Sequence, residues 1–226
     1  MFNNKVKLDK IKMKNNIKCV LFDLGQTIIE YNLLEFPKYL NEKLEYIDKE
    51  PEEIVDIVFY QKPYSLYERG ILTTKEYYEE IKRNLGIKNM TLQDLKLALC
   101  SIFSDKNEIE TILQKITKNY KVLFVSNLSK IHWEFALSER SVIKKYFKEP
   151  WQQILSFKVG FQKPEEEIYL IALERVGVSP ENALFIDDKK ENVEGFRSIG
   201  GNSEQYNCKD ETMLCLEDIL RKYNVL

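Results

Sequence analysis

An aspartate stands at the end of a short apolar run near the start of the chain. Residues 19–22 are Cys, Val, Leu and Phe, Asp23 follows them, and Gly25 lies two residues further on. In an open parallel sheet, ligands bind outside the carboxyl ends of the strands, and an apolar run before a glycine-containing turn is typical of such a strand. Asp23 is therefore placed to act as a nucleophile on a ligand, although a strand-end carboxylate that caps the next turn fits this motif alone equally well.

Ser126 and Asn127 close a second apolar run, residues 121–126. A strand-end Ser-Asn pair is commonly turn chemistry and nothing more. The functional interpretation is phosphate binding, because a neutral hydroxyl and backbone N–H groups hold a phosphoryl oxygen without the repulsion of a carboxylate. If the strands are parallel neighbours, these groups face the same edge of the sheet as Asp23.

Lys163 precedes Pro164 and three consecutive glutamates. This pattern predicts a helix with proline at its first position and acids in its first turn, so the lysine lies just before a helix N-terminus. A cation there could neutralise an attacking carboxylate and a phosphoryl group together. A solvated lysine paired with a nearby glutamate is the competing interpretation.

Asp187 and Asp188 follow the apolar run 183–186. Adjacent carboxylates after a buried strand are costly unless a positive group holds them. Carboxylates from two strand ends, with positions open to water, suit Mg²⁺, which commonly takes one or two carboxylates and a substrate phosphate. The pair therefore favours a metal site over a plain acidic loop, with Asn192 in support as a ligand or through a hydrogen bond to one.

The elements that position these groups alternate between strands and helices. Strands are predicted at 19–22, 121–126 and 183–187, with a weaker one at 153–156, and helical spacing marks 108–118 and 165–176. This alternation indicates βαβ units around a parallel sheet.

The region 33–105 lacks a convincing strand and has charged and aromatic segments at helical period, punctuated by prolines and Gly70. It is predicted to be an inserted helical cap over the strand ends. The core would then be discontinuous, formed by 17–32 and 106–226, after a flexible Asn/Lys-rich lead-in at 1–16.

Composition excludes several classes of protein. The 226 residues carry 34 basic and 36 acidic side chains, a net charge of -2, which provides no general attraction to nucleic acid. Four cysteines without metal-like spacing indicate reduced thiols and a reducing compartment. No stretch approaches the length of a membrane span and the start lacks the apolar block of a signal peptide, so a cytoplasmic protein without a membrane partner is expected. A homo-oligomer is left open.

Taken together, these segments resemble the haloacid dehalogenase superfamily, in order as well as in kind. Its four motifs are matched by residues 22–27, 125–127, 160–164 and 185–193. Finer details resemble those of the small sugar-phosphate phosphatases of the α-D-glucose-1-phosphate phosphatase branch. These enzymes have an Asp-Leu-Gly first motif, a cap segment like residues 67–70, and a histidine, here His132, shortly after the second motif.

The resemblance implies a Rossmann-like three-layer α/β core with a parallel sheet, and a phosphatase that acts on a small phosphorylated metabolite through an aspartyl-phosphate. It implies the catalytic residues Asp23, Ser126 and Lys163. It implies Mg²⁺ as the cofactor, held by Asp23, the Gly25 carbonyl and Asp188, with Asp187 and Asn192 in support. It implies substrate contacts from Asn127, Gln26, Thr27 and His132, although a packed helix-face histidine without a catalytic role is the favoured interpretation of His132.

Gly25 departs from the commonest phosphatase pattern of this superfamily, which has a second aspartate there as general acid and base. General acid catalysis typically contributes about 10² to 10⁴-fold, so its loss matters most for poor leaving groups. An anomeric hydroxyl is a better leaving group than a simple alkoxide, which favours a sugar-1-phosphate substrate.

Two other functions remain. A 2-haloacid dehalogenase also lacks the second aspartate, but a reaction without metal has no use for the paired acids at 187 and 188. A phosphoryl-binding regulatory protein that has lost turnover is favoured only by the missing side chain at Gly25.

Overall fold

The computed structural model describes residues 16–43, 47–104 and 109–226. The predicted lead-in at 1–16 lies outside the described residues except for its last position. The predicted boundary near 105–106 also lies outside them.

Five parallel strands form one sheet in the order β3-β2-β1-β4-β5. The strands are β1 (Cys19–Phe22), β2 (Lys121–Ser126), β3 (Gln153–Leu155), β4 (Ala183–Asp187) and β5 (Asn202–Gln205). Because β1 lies between β2 and β4, the residues that follow these three strands meet at one edge of the sheet. The parallel α/β fold predicted from the sequence is confirmed.

Helices pack on both faces of this sheet. Those of the core are α6 (Glu110–Ile116), α7 (Lys130–His132), α8 (Ser141–Tyr146), α9 (Ser156–Val159), α10 (Glu166–Val176), α11 (Lys190–Ser198) and α12 (Met213–Lys222). Alternate residues of β1 point to opposite faces, as strand geometry requires. Val20 and Phe22 pack in a cluster with residues of α6, α8 and α12, whereas Cys19 and Leu21 pack with residues of α10 and α11. The core therefore has three layers.

The described chain between β1 and β2 contains five helices before α6. They are α1 (Glu35–Lys43), α2 (Pro51–Val55, continued by a π-helical turn Asp56–Tyr60), α3 (Lys62–Glu68), α4 (Thr74–Leu85) and α5 (Leu92–Cys100). They share a second buried cluster, which includes Phe36, Tyr77 and Leu95 and also Ile131 of α7. Thr73 and Thr91 begin α4 and α5 with reciprocal capping boxes, which satisfy backbone N–H groups at each helix start. These helices lie within the predicted cap, whose limits remain a prediction.

One local prediction was wrong, and one strand was missed. Pro164 is not the first residue of α10, which begins at Glu166, because a turn closes first: the Glu165 N–H donates to the Gln162 carbonyl. The Lys163–Pro164 peptide bond in this turn is cis. Strand β5 was not predicted, because its sequence Asn-Ser-Glu-Gln is polar and lacks the apolar run that marks a buried strand. Such a sequence is tolerated because β5 lies at the edge of the sheet.

Candidate active site

A lysine lies between two carboxylates at the carboxyl edge of the sheet. The Lys163 Nζ is 2.5 Å from Asp23 Oδ1 and 2.6 Å from Asp187 Oδ2. Asp23 follows β1 and Asp187 ends β4, so the parallel pairing of the two strands places their carboxylates together. Lys163 and Asp187 are 5% and 0% exposed, respectively, which makes this a buried ion-pair network rather than a surface contact.

The loop that carries Lys163 is held by the end of β2. The Asn127 side-chain amide donates to the Lys163 carbonyl at 2.9 Å, and its oxygen accepts from the Lys163 N–H at 2.8 Å. Both polar groups of Asn127 are thus bonded to the backbone of Lys163. This pairing fixes the lysine against the two acids.

Asp187 is held from three sides. Besides Lys163, it accepts hydrogen bonds from the Lys189 N–H at 2.8 Å and from the Asn192 amide at 2.9 Å. Asn192 therefore orients Asp187 in this structure. Three donors therefore fix the orientation of this buried carboxylate.

Asp188 completes a group of three carboxylates. One oxygen from each of Asp23, Asp187 and Asp188 lies within 4.8 Å of the others. Carboxylate oxygens are the ligands that hard divalent cations prefer, so this cluster can hold a metal ion.

The charges of this cluster do not balance. Burial, with smaller contributions from the charges of Asp187 and Asp188, raises the pKa of Asp23 to about 7, against the opposing effect of Lys163. Burial and the charge of Asp187 raise the pKa of Asp188 to about 6. Burial alone would lower the pKa of Lys163, but the two neighbouring carboxylates outweigh it and the pKa lies above its ordinary value. One ammonium facing three carboxylates leaves an excess of negative charge, and a bound divalent cation would remove it.

These groups open onto a cavity of about 560 Å³ between the sheet edge and the chain that joins β1 to β2. The core lines it with Asp23, Gly25, Ser126, Lys163 and Asp188. The chain between β1 and β2 adds aromatic and polar side chains, among them Phe59, Tyr60, Tyr64, Glu68 and Phe103. A cavity of this size accommodates a small metabolite. Ser126 is 3% exposed and brings a hydroxyl to its wall.

The predicted substrate contacts divide into two groups. Gln26 and Asn127 line the cavity, and Gln26 lies in the left-handed region with φ 56 and donates from its amide to the Tyr31 carbonyl. Thr27 is 1% exposed and does not line the cavity; its hydroxyl points to the Tyr206 carbonyl at 3.5 Å.

His132 lines the cavity from α7 and is 2% exposed. Its ring packs against Phe59, Tyr64 and Phe103, and Nδ1 is 3.4 Å from the Tyr64 hydroxyl. Burial lowers the pKa of His132 to about 4, against a smaller opposing effect of a hydrogen bond with the Leu99 backbone. The imidazole is therefore neutral at pH 7.

Sequence reasoning did not single out two side chains of the cavity wall, Tyr31 and Glu68. A side chain added at Gly25 would bring its Cβ within 2.8 Å of Tyr31 Cε1, so the tyrosine ring packs directly over the glycine. No local pattern signals this contact, because it depends on the path of the chain after β1. For Glu68, the sequence offered one indication, which is its place in the cap segment 67–70 that resembles the sugar-phosphate phosphatases.

A family model described as haloacid dehalogenase-like hydrolase matches residues 17–200, which is most of the chain. This chain belongs to the haloacid dehalogenase-like hydrolases. The match begins just before β1 and extends beyond α11, so it includes strands β1 to β4 and the site residues that follow them. The expectation of a hydrolase of this family is confirmed.

Two curated relatives of this hydrolase are named for different activities, one as a cyclase and one as a phosphatase. Drimenol cyclase drtB from Aspergillus calidoustus is 28% identical over 160 residues, 68% of this chain, and the aligned part spans only 29% of that protein. Glyceraldehyde 3-phosphate phosphatase from Methanothermobacter thermautotrophicus is 27% identical over 197 residues, which cover 81% of this chain and 83% of that protein.

A solved structure of a haloacid dehalogenase-family enzyme from Bacteroides thetaiotaomicron, in complex with magnesium and inorganic phosphate, has a TM-score of 0.69. It is 24% identical, and the alignment covers 87% of this chain and 97% of that one. The likeness shows the shared fold. None of the helices in the described ranges is long and apolar enough to cross a membrane.

Proposed function

We propose that this chain is a Mg²⁺-dependent phosphatase that hydrolyses a small phosphorylated metabolite through an aspartyl-phosphate on Asp23. The observation that carries the proposal is the contact of Lys163 with both Asp23 and Asp187 at the cavity floor, beside a third carboxylate. The phosphatase activity named for the relative from Methanothermobacter and the magnesium and phosphate in the Bacteroides structure support it.

Asp23 is the nucleophile in this proposal. Its carboxylate attacks phosphorus, the ester oxygen leaves, and water then hydrolyses the acyl-phosphate to release inorganic phosphate. Splitting one difficult substitution into two is the general advantage of covalent catalysis. Lys163 favours the ionised form of Asp23, because its charge opposes the effect of burial on the pKa of this carboxyl.

Ser126 and Lys163 hold the oxygens of the transferred group. Charge is spread over these oxygens in a loose, in-line transition state, so fixed donors stabilise it more than the ground state. Asn127 acts through Lys163, since its amide fixes the backbone of the lysine. Gln26 and His132, which also line the cavity, contact the rest of the substrate in this proposal.

Asp23, the Gly25 carbonyl and Asp188 would hold Mg²⁺, with Asp187 and Asn192 in support. The donor set fits, because it is built of hard oxygen ligands and carries excess negative charge. When bound, the ion supplies charge neutralisation for the phosphoryl group and the attacking carboxylate.

A colorimetric assay tests the reaction. The purified protein should hydrolyse 4-nitrophenyl phosphate when Mg²⁺ is present and lose this activity in EDTA. Asp23→Asn should abolish turnover, because it removes the nucleophile. Asp218→Asn is the matched control, since its side chain is 76% exposed on α12 and belongs to a surface ion pair. Full activity of Asp23→Asn would refute the aspartyl-phosphate.

The same preparation distinguishes the other two functions. Release of chloride from a 2-haloacid without added metal would establish a dehalogenase. Absence of both activities, with phosphate bound to the folded protein, would establish a binding protein without turnover.

We further propose that residues 33–105 form a specificity cap and that the substrate is a sugar phosphate, with sugar-1-phosphates favoured. The mixed wall of aromatic and polar side chains in the cavity supports a hydroxylated metabolite. A panel of metabolite phosphates tests this, and faster cleavage of sugar-6-phosphates than of sugar-1-phosphates would contradict the preference.

A further inference from the structure

Glu68 places a carboxyl group in the wall of the cavity that Asp23 and Lys163 also line. It is the last residue of α3, on the side of the cavity formed by the inserted helices. The proposed reaction, as described above, assigns no role to this acid.

Several contacts with the core fix Glu68 in place. The Gln162 amide donates to its Oε2 at 2.9 Å, and the Ser156 hydroxyl donates to its backbone carbonyl at 2.6 Å. The next residue, Arg69, makes two hydrogen bonds of 2.7 and 2.9 Å to the Glu165 carboxylate. Because Gln162 and Glu165 flank Lys163, the acid and the lysine are held by the same loop.

The protonation of Glu68 differs from that of an ordinary surface glutamate. Burial raises its pKa to about 7, against the opposing effects of Lys189, a hydrogen bond from Tyr64, Lys163 and Gln162. Tyr31 lines the same cavity, and its pKa is raised mainly by burial, with smaller contributions from the charges of Asp188, Asp23 and Glu68. At neutral pH, both the acid and the carboxylate forms of Glu68 are present.

His132, on the same cavity, does not share this property. With a pKa of about 4 it is neutral at pH 7, and a neutral imidazole is too weak an acid to protonate a leaving group. Gly25, next to the nucleophile, has no side chain with which to donate one. A phosphate ester whose leaving group is an alkoxide nevertheless needs a proton on that oxygen as the bond to phosphorus breaks.

We propose that Glu68 is the general acid and base of the phosphatase reaction, an inference that rests on the proposed function. In the first step an Asp23 oxygen bonds to phosphorus, the ester P–O bond breaks with its electron pair going to the ester oxygen, and Glu68 transfers its proton to that oxygen. In the second step water bonds to phosphorus and gives a proton back to Glu68. The acyl-phosphate P–O bond then breaks and its electron pair returns to Asp23.

Two esters of similar shape test this role. 4-Nitrophenyl phosphate has a good leaving group that needs little protonation, whereas phenyl phosphate has a poorer one. Glu68→Gln should lower kcat/KM for phenyl phosphate at least about tenfold more than for 4-nitrophenyl phosphate, since general acid catalysis acts on the poorer leaving group. The ratio kcat/KM is the right quantity because it reports the step that forms the aspartyl-phosphate.

Two further variants separate chemistry from structure. Glu68→Asp retains a titratable carboxyl and should recover part of the phenyl phosphate activity. Glu165→Gln leaves the Glu68 carboxyl in the chain but weakens the bonds of residue 165 to Arg69 and to the Gln162 N–H. A purely structural effect of this kind should change kcat/KM for both substrates by the same factor. Thermal unfolding of each variant confirms that it folds.

The pH dependence gives an independent readout. The wild type should lose kcat/KM for phenyl phosphate as the pH rises through about 7, where Glu68 releases its proton, and Glu68→Gln should lack this decline. Equal loss on both esters, or no loss on either, would overturn the role of Glu68 while leaving the phosphatase intact. Failure of the wild type on 4-nitrophenyl phosphate with Mg²⁺ would overturn the proposed function itself.

Discussion

Replacing His132 with glutamine should make the stability of the protein less sensitive to acid between pH 7 and pH 5. The folded imidazole has a pKa of about 4, against 6.5 for the ordinary group. As the pH falls below 6.5, the unfolded chain takes up a proton at His132 and the folded protein does not. The free energy of unfolding therefore decreases as the pH falls, until the folded imidazole also titrates.

The magnitude follows from the two pKa values. One pKa unit corresponds to about 1.4 kcal/mol, so the gap between 6.5 and about 4 amounts to about 3 kcal/mol when both states are fully protonated. Between pH 7 and pH 5 the loss is about 2 kcal/mol, because protonation of the unfolded state is already partial at pH 7.

The wild-type profile alone would hide this effect. Glu68 has a folded pKa of about 7 against an ordinary 4.5, so it contributes stability below pH 4.5 that is lost as the pH rises through 7. The two residues thus act with opposite sign over the same range. Only the difference between wild type and variant isolates His132.

Urea unfolding of the metal-free wild type and His132→Gln at pH 7 and pH 5 measures that difference. The loss of ring packing gives an offset that is the same at both pH values, and the titration adds about 2 kcal/mol of change between them. His132→Phe, which keeps an aromatic ring beside Phe59 and Phe103, should show the same change with a different offset. A stability difference that is independent of pH would refute a buried, neutral His132.

Lys163→Ala should lower the free energy of unfolding by about 3 to 5 kcal/mol in the absence of metal, because it leaves Asp23 and Asp187 buried without their counter-charge. Urea unfolding measures this, and stability equal to that of the wild type would contradict it. Gly25→Asp should cost about 1 to 3 kcal/mol because its Cβ would meet Tyr31, and Tyr31→Ala in the same chain should recover part of the loss. Strictly additive effects in this double-mutant cycle would argue against the clash.

Apolar runs were sufficient to predict the central sheet. Strands β1, β2 and β4 are buried on both faces, so each appears as a continuous hydrophobic segment that ends in a polar residue. Strand β5 has no such pattern, and it is recognisable only because β4 provides it with a hydrogen-bonding partner. The start of α10 was misplaced because the preference of proline for the first helical position does not account for the turn from Gln162 to Glu165, which contains Pro164.

The sequence by itself determined which residue types end the strands: Asp23 after β1, Ser126 at the end of β2, and Asp187 at the end of β4. The alternation of these strands with helices predicts a parallel sheet, whose carboxyl ends lie at one edge, so the convergence of these residues was predictable. The tertiary structure decided the rest, since only the packing of distant segments sets burial and therefore charge. In the folded protein, Asn127 is hydrogen-bonded to the backbone of Lys163 and His132 is buried among aromatic rings in its neutral form. Glu68, on helix α3, lies in the wall of the cavity that the nucleophile also lines.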